Sequence, residues 1–169
     1  MFNNFFPPGH PMNHYYPPAV AKKPNCPKEG YTDQGPSPYV TDINTASICN
    51  KNYRTALWTG RHLQTTLMSI PAGSDIGLEV HPHVDQFLRI EQGQGISQMG
   101  PSKNNLNYQK PVNDNTAVFV PAGTWHNVTN TGKMPLKLYS IYSPPNHPRG
   151  TIDITKAAAD AREAAMGIS

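Results

Sequence analysis

Charge is scarce in this 169-residue chain. Eleven acidic and 14 basic side chains make up 15% of it, and Lys22-Lys23 is the one adjacent basic pair. A net charge of +3, spread this thinly, forms no basic stripe, so no nucleic-acid partner is expected. Long apolar runs are also missing. The mean hydropathy is −0.56, and no stretch approaches the roughly 20 apolar residues of a membrane-spanning helix. The opening Met1–Pro18 has no basic start and no apolar run before a small-residue cleavage site, which predicts no secretory signal. Cysteine is limited to Cys26 and Cys49, too few for a disulfide framework or a four-cysteine zinc site. Two free thiols in a reducing compartment are expected in preference to one bridge, and hence a cytoplasmic location.

Proline is plentiful and unevenly placed. Nine of the 18 prolines lie before residue 40, as do seven of the 15 aromatic residues. The opening shows neither a helical nor a strand period, and its prolines block regular hydrogen-bond ladders. Residues 1–40 therefore read as an extended or disordered arm. It is either a tail packed loosely on its own domain or an adhesive segment that docks a partner or a neighbouring subunit.

From residue 41 to about 150 the texture is that of an all-β domain. Short runs rich in Val, Ile, Leu, Thr and Tyr alternate with Gly, Pro, Asn and Asp clusters. Strands are predicted at Tyr53–Trp58, His62–Ile70, Gly77–His81, Gln86–Gln92, Ile96–Gly100, Thr116–Val120, Trp125–Asn130 and Leu136–Tyr142. Strands at this spacing suggest a closed barrel or jelly roll, which hides sheet edges. Pro101–Asn115 reads as a loop or weak hairpin. Residues 151–169 hold an alanine-rich helix over Thr155–Met166, which Asp153 or Thr155 can cap.

The chemistry sits in the histidines. His81 and His83 are two apart in Glu79-Val80-His81-Pro82-His83, and on an extended segment such residues share a face. His126 follows the Pro121-Ala122-Gly123 turn on another strand. Imidazole is the commonest side-chain ligand of divalent transition metals, and an oxygen often completes the set.

These segments resemble the two motifs of the cupin superfamily. IGLEVHPHVDQFLRIEQGQG resembles the first motif, which has a His-x-His pair, a glutamate shortly after and a glycine closing it. Gly93 fits the closing glycine, and Gln86 falls where the family usually has its glutamate. NTAVFVPAGTWHNVTN resembles the second: Pro121, Gly123, His126 and Asn130 match its spacing, and Asn115 replaces its leading glycine. The resemblance implies a jelly-roll cupin barrel, often a homodimer, holding Mn, Fe, Zn or Ni. By position, His81, His83 and His126 would be metal ligands with Gln86 in the fourth place. Gln86 is a neutral amide, and its distance from His83 is a residue short, so Glu79 or Asp85 could supply the oxygen instead.

The block LEVHPHVDQFLRIEQG is similar to single-domain bacterial cupins described as mannose-6-phosphate isomerase-like. That similarity implies a sugar or sugar-phosphate substrate and aldose–ketose isomerisation. Glu79 would be the catalytic base, and Arg89, Lys137, Tyr139 and Tyr142 candidate substrate contacts. Two other classes stand beside it. One is a metal-dependent oxygenase. The other is a non-catalytic cupin acting through its arm, which is similar in composition to bacterial coat proteins and would place the chain with a spore or coat structure.

Overall fold

The computed structural model describes residues 24–166, so the first 23 residues of the expected arm lie outside the described part. The elements run α1 (Ile43–Cys49), β1 (Arg54–Thr59), β2 (Gln64–Ile70), β3 (Asp85–Gln92), β4 (Gln94–Gly100), β5 (Tyr108–Asn113), β6 (Ala117–Val120), β7 (Trp125–Asn130), β8 (Leu136–Ser143), β9 (Ile152–Asp153) and α2 (Lys156–Met166). All strand pairs are antiparallel. They form a six-stranded sheet, ordered β6-β3-β8-β2-β1-β9, and a three-stranded sheet, ordered β5-β4-β7. This is the expected all-β barrel.

Alternation along the strands aims one side-chain set inward. At one end that set is Ile70, Leu88, Ile90, Val112, Val118, Val128, Leu136 and Leu138, all buried in one cluster. Burying such side chains is the main drive for closing the two sheets on each other. At the other end the inward positions are Gln64, Thr66, Gln86, Ser140 and Tyr142, buried equally well. The interior thus has an apolar floor and a polar upper storey.

Three local features differ from expectation. Residues 77–81 do not form a regular strand; residues 75–79 pair with β7 through the isolated bridges Asp75–Thr129 and Glu79–His126. β5 lies inside the expected loop. Among the described residues it pairs only with β4, its side chains are exposed apart from Val112, and Pro111 is tolerated there because the strand is an edge. α1 was not expected at all. Its first turn is capped by the Asp42 carboxylate, which accepts from Thr45 N at 3.0 Å.

Residues 24–40 have no regular structure but are fastened to the barrel. Cys26 and Cys49 form a disulfide, which corrects the expectation of two free thiols. Folding of α1 onto the sheet places the two Cα atoms 5.4 Å apart, within bridging reach. The Asp33 carboxylate accepts from Gly35 N, Thr59 N and Gly150 N at 2.9–3.0 Å. Trp58 Nε1 donates to Ser37 O at 2.8 Å. α2 is capped by Thr155, whose hydroxyl accepts from Ala158 N. It docks through ion pairs of Glu163 with buried Arg54 and of Arg162 with Asp153.

Candidate metal centre

Glu79 and His126 form a backbone pair. Glu79 N donates to His126 O at 3.1 Å, and His126 N to Glu79 O at 2.9 Å. Side chains of such a pair project to one face as neighbours. His81, two residues on, shares that face, and its carbonyl accepts from Gly123 N in the turn that leads into β7. Gly123 takes φ +78°, a left-handed conformation that favours glycine. The second-motif turn therefore delivers His126 opposite Glu79 and His81.

The ligand atoms converge. Glu79 Oε1 lies 3.3 Å from His81 Nε2 and 3.2 Å from His126 Nε2. Gln86 Oε1 lies 2.7 Å from His126 Nε2. Gln86 is on β3, and its amide nitrogen donates to Ser140 Oγ at 3.0 Å and to Tyr142 Oη at 3.2 Å. His126 Nδ1 lies 3.0 Å from the Thr124 carbonyl, to which only an N–H can donate. A neutral His126 ring then has a bare lone pair on Nε2. That lone pair faces two oxygens that can only accept. With the Gln86 amide oriented this way, a second proton on the ring or a metal ion at the centre would satisfy the cluster.

The fit to a metal is close. Bonds of about 2.0–2.2 Å to nitrogen and oxygen place neighbouring donors about 3.3–3.6 Å apart in a tetrahedral site and about 2.8–3.1 Å apart in an octahedral one, against 3.2 and 3.3 Å for the two Glu79 contacts and a shorter 2.7 Å between Gln86 and His126. His81 is 6% exposed, and its Nε2 has no hydrogen-bond partner among the described residues. The bond from His126 to Thr124 is the outer contact that usually fixes a metal-bound imidazole. Burial raises the pKa of Glu79, but its close contacts and charge interactions with His126 and His81 outweigh this and hold it well below the usual carboxylate range. Burial pushes the Tyr142 phenol up to about 12, so it remains a neutral hydroxyl.

Three of the four expected ligands meet here: His81, His126 and Gln86. Glu79, expected as the base or as an alternative oxygen donor, stands with them. His83 is exposed and lies outside the cluster, because Pro82-His83 forms a turn and the extended alternation stops at His81. With Glu79-x-His81 in place of the His-x-His pair, the gap to Gln86 lengthens from two residues to four, and the shortfall in spacing disappears. Asp85 is turned away and accepts from Ala122 N at 2.9 Å. Among the expected substrate contacts, Tyr142 reaches the interior. Arg89 binds Glu91 and Asn115, Lys137 donates to Asn50 O, and Tyr139 packs with Leu57 and Leu67 under α1. Asn115 takes φ +66°, which explains why it can stand in for a glycine.

Sequence reasoning passed over His147. It is 5% exposed, stacks edge-on against Tyr142 at 5.0 Å, and among the described residues has a partner for neither ring nitrogen. Buried Gln64 clamps its backbone at both N–H and carbonyl, each at 2.9 Å. Burial first, and then the nearby Arg54 charge, push its pKa down to about 2. A pocket of about 230 Å³ borders the cluster at Glu79 and His81 and is also lined by Trp125 and Asn146 and by Asp160 and Glu163 of α2. No local sequence signal marked the α2 residues, since only the docking of the helix brings them to the barrel mouth.

Comparison with known proteins agrees with this architecture. The Cupin domain family model matches residues 66–142. The uncharacterized protein YrkC of Bacillus subtilis is 65% identical over 131 residues, covering 78% of this chain and 70% of that one. The uncharacterized protein L612 of Acanthamoeba polyphaga mimivirus is 38% identical over 119 residues, covering 70% of this chain and 72% of that one. A crystal structure from Bacillus halodurans superposes with a TM-score of 0.76 at 60% identity, covering 77% of this chain and 98% of that one.

Proposed function

The chain belongs to the cupin family, and on that premise we propose that it is a metal-dependent cupin enzyme acting on a small molecule in the barrel mouth. The ligands are Glu79, His81, His126 and Gln86. The observation that carries this reading is the convergence of acceptor atoms on His126 Nε2, which a cation between them would satisfy.

Of the reactions considered, the geometry favours oxygenation. Two imidazoles and one carboxylate are the donor set of non-haem iron oxygenases. Aldose–ketose isomerisation needs a free base, and Glu79 is committed between His81 and His126. A divalent ion held there supplies Lewis acidity and, in the case of iron, one-electron chemistry toward dioxygen. The protein's own residues supply the rest. Thr124 orients His126, Ser140 and Tyr142 orient Gln86, and Ile76, Leu78 and Trp125 wall the pocket on its apolar side. The location that goes with this reading is the cytoplasm or a coat layer. The disulfide favours the coat, because cytosolic thiols are kept reduced.

Elemental analysis of the purified chain tests the site. About one divalent ion per chain is expected, with most of it lost in His126→Ala and Glu79→Gln. Full occupancy in His126→Ala would reject the ligand set. With iron loaded, oxygen uptake on adding polyhydroxy compounds supports the oxygenase. Exchange of a carbon-bound deuteron with solvent, without oxygen uptake, supports the isomerase instead.

A further inference from the structure

Two side chains of β5 point into the barrel and are nevertheless exposed. Alternation along β4 puts Ser97 and Met99 on one face, and their partners across β7 are Val128, in the apolar floor, and His126, in the metal cluster. That face is the inner one. On the other side of β4, Ser97 stands opposite Lys110 and Met99 opposite Tyr108, and residues directly opposite project to the same side. Lys110 and Tyr108 are therefore directed inward, yet both are exposed. The reason is a gap in the barrel wall. Among the described residues β5 pairs only with β4 and β6 only with β3. Between these two edges lies a cleft of about 570 Å³, within the roughly 300–1,000 Å³ of small-molecule sites.

The cleft is apolar with a single charge. Met99, Val112, Val118 and Phe119 are among its walls, and Lys110 is its one charged lining residue. Lys110 Nζ stands 5.8 Å from the centre of the Tyr108 ring, and among the described residues it enters no ion pair. Its cross-strand neighbour Ser97 is 2% exposed, and the Ser97 Oγ has no hydrogen-bond partner among the described residues, which costs free energy until a partner is supplied. We propose that this cleft binds a small aromatic carboxylic acid. The carboxylate accepts from Lys110 Nζ and Ser97 Oγ, and the ring lies against Met99, Val118 and the exposed Phe119, whose aromatic face favours a second ring. None of the four proposed metal ligands lines the cleft, so the site does not rest on the metal reading. Met99, paired with His126 across β4 and β7, separates the two.

Phenylacetate, phenylacetamide and 2-phenylethylamine share a body and differ in charge, so calorimetric titration of the purified full chain with each tests it. Phenylacetate is expected to bind most tightly. The amide should be weaker by about fivefold, the upper end for an ion pair open to water on one side, and the amine weaker still. The preference for the acid should shrink at about 1 M salt. Amide NMR shifts on adding phenylacetate should concentrate at residues 97–100, 108–112 and 117–119. Lys110→Met, at an exposed position and with the apolar stem kept, should abolish the preference, and Lys110→Glu should make the amine the tightest of the three. Equal binding of acid and amide, an unchanged preference in Lys110→Met, shifts centred on residues 76–81 and 160–163, or no binding of any of the three would overturn the proposal. Neither variant touches a proposed metal ligand, so failure of the metal site is read separately, by elemental analysis.

Discussion

The two ends of the barrel interior are built on the same strands and are equally buried, yet they are chemically opposite. Along β8, Leu136 and Leu138 enter the floor, and Ser140 and Tyr142 enter the upper storey. Along β3, Leu88 and Ile90 lie in the floor and Gln86 above them. Apolar burial stabilises the floor with no demand on orientation. Polar burial above is tolerable only where partners exist, and there the partners are incomplete. Among the described residues, Arg54 Nε, Thr66 Oγ1, His81 Nε2 and both His147 ring nitrogens are buried without one. The barrel keeps at one end the stability that allows the other end to hold unsatisfied, chemically available groups.

The sharpest way to break that comparison is to exchange the roles. Leu138→Ala, at a fully buried floor position, should cost about 2–5 kcal/mol and leave metal stoichiometry per folded chain unchanged. Urea unfolding and elemental analysis of the same sample check both halves. A loss of metal equal to the loss of stability would mean that the floor and the site are one unit.

His147 probes the upper storey through pH. Its folded pKa is depressed to about 2, far below the ordinary value near 6.5, so the unfolded chain binds a proton that the folded chain refuses. Stability from this group is complete above about pH 6.5 and falls by about 1.4 kcal/mol per pH unit below it. His147→Gln should remove about one proton from the pH dependence of the urea midpoint between pH 6.5 and 4.5. An unaltered slope would place the ring in water.

Gln86→Glu has a smaller effect, on affinity. It adds a carboxylate to a site with one, and Ser140 and Tyr142 can donate to it in place of accepting. Metal binding should tighten by about tenfold, read by competition with a chelator. Without metal the variant should be less stable than the parent, because two carboxylates then face each other across His126.

The pattern of these sites shows what could be read without coordinates. Second-motif positions Pro121, Gly123, His126 and Asn130 were legible because a tight turn and a following strand are local structures. His83 was misplaced by an equally local rule applied one residue too far: Pro82 turns the chain, and alternation beyond His81 no longer predicts the face. The role of Glu79 depended on which partner stood across the bridge, and that is a tertiary fact. β5 was hidden because an exposed edge strand with a proline lacks the apolar alternation that marks strands. Asp160 and Glu163 carried no signal, since a polar helical face looks the same whether it meets solvent or a pocket.

Asp33 provides the mildest test, and it reaches the polar end from outside. Its carboxylate ties the segment before α1 to the end of β1 and to Gly150, three residues beyond His147. Burial raises its pKa, but the hydrogen bonds from Thr59, Gly150 and Gly35 outweigh this and hold it below the ordinary carboxylate value. Its contribution is therefore present above about pH 4 and is lost as pH falls through the depressed folded value. Asn in its place keeps one acceptor and turns an N–H₂ toward backbone donors, so Asp33→Asn should cost about 1 kcal/mol at neutral pH, partial exposure keeping it small. Amide exchange at residues 146–150 should quicken while exchange in the floor strands does not. Equal quickening at both ends would show that the polar storey has no independent anchorage and that the contrast between the two ends is one of composition alone.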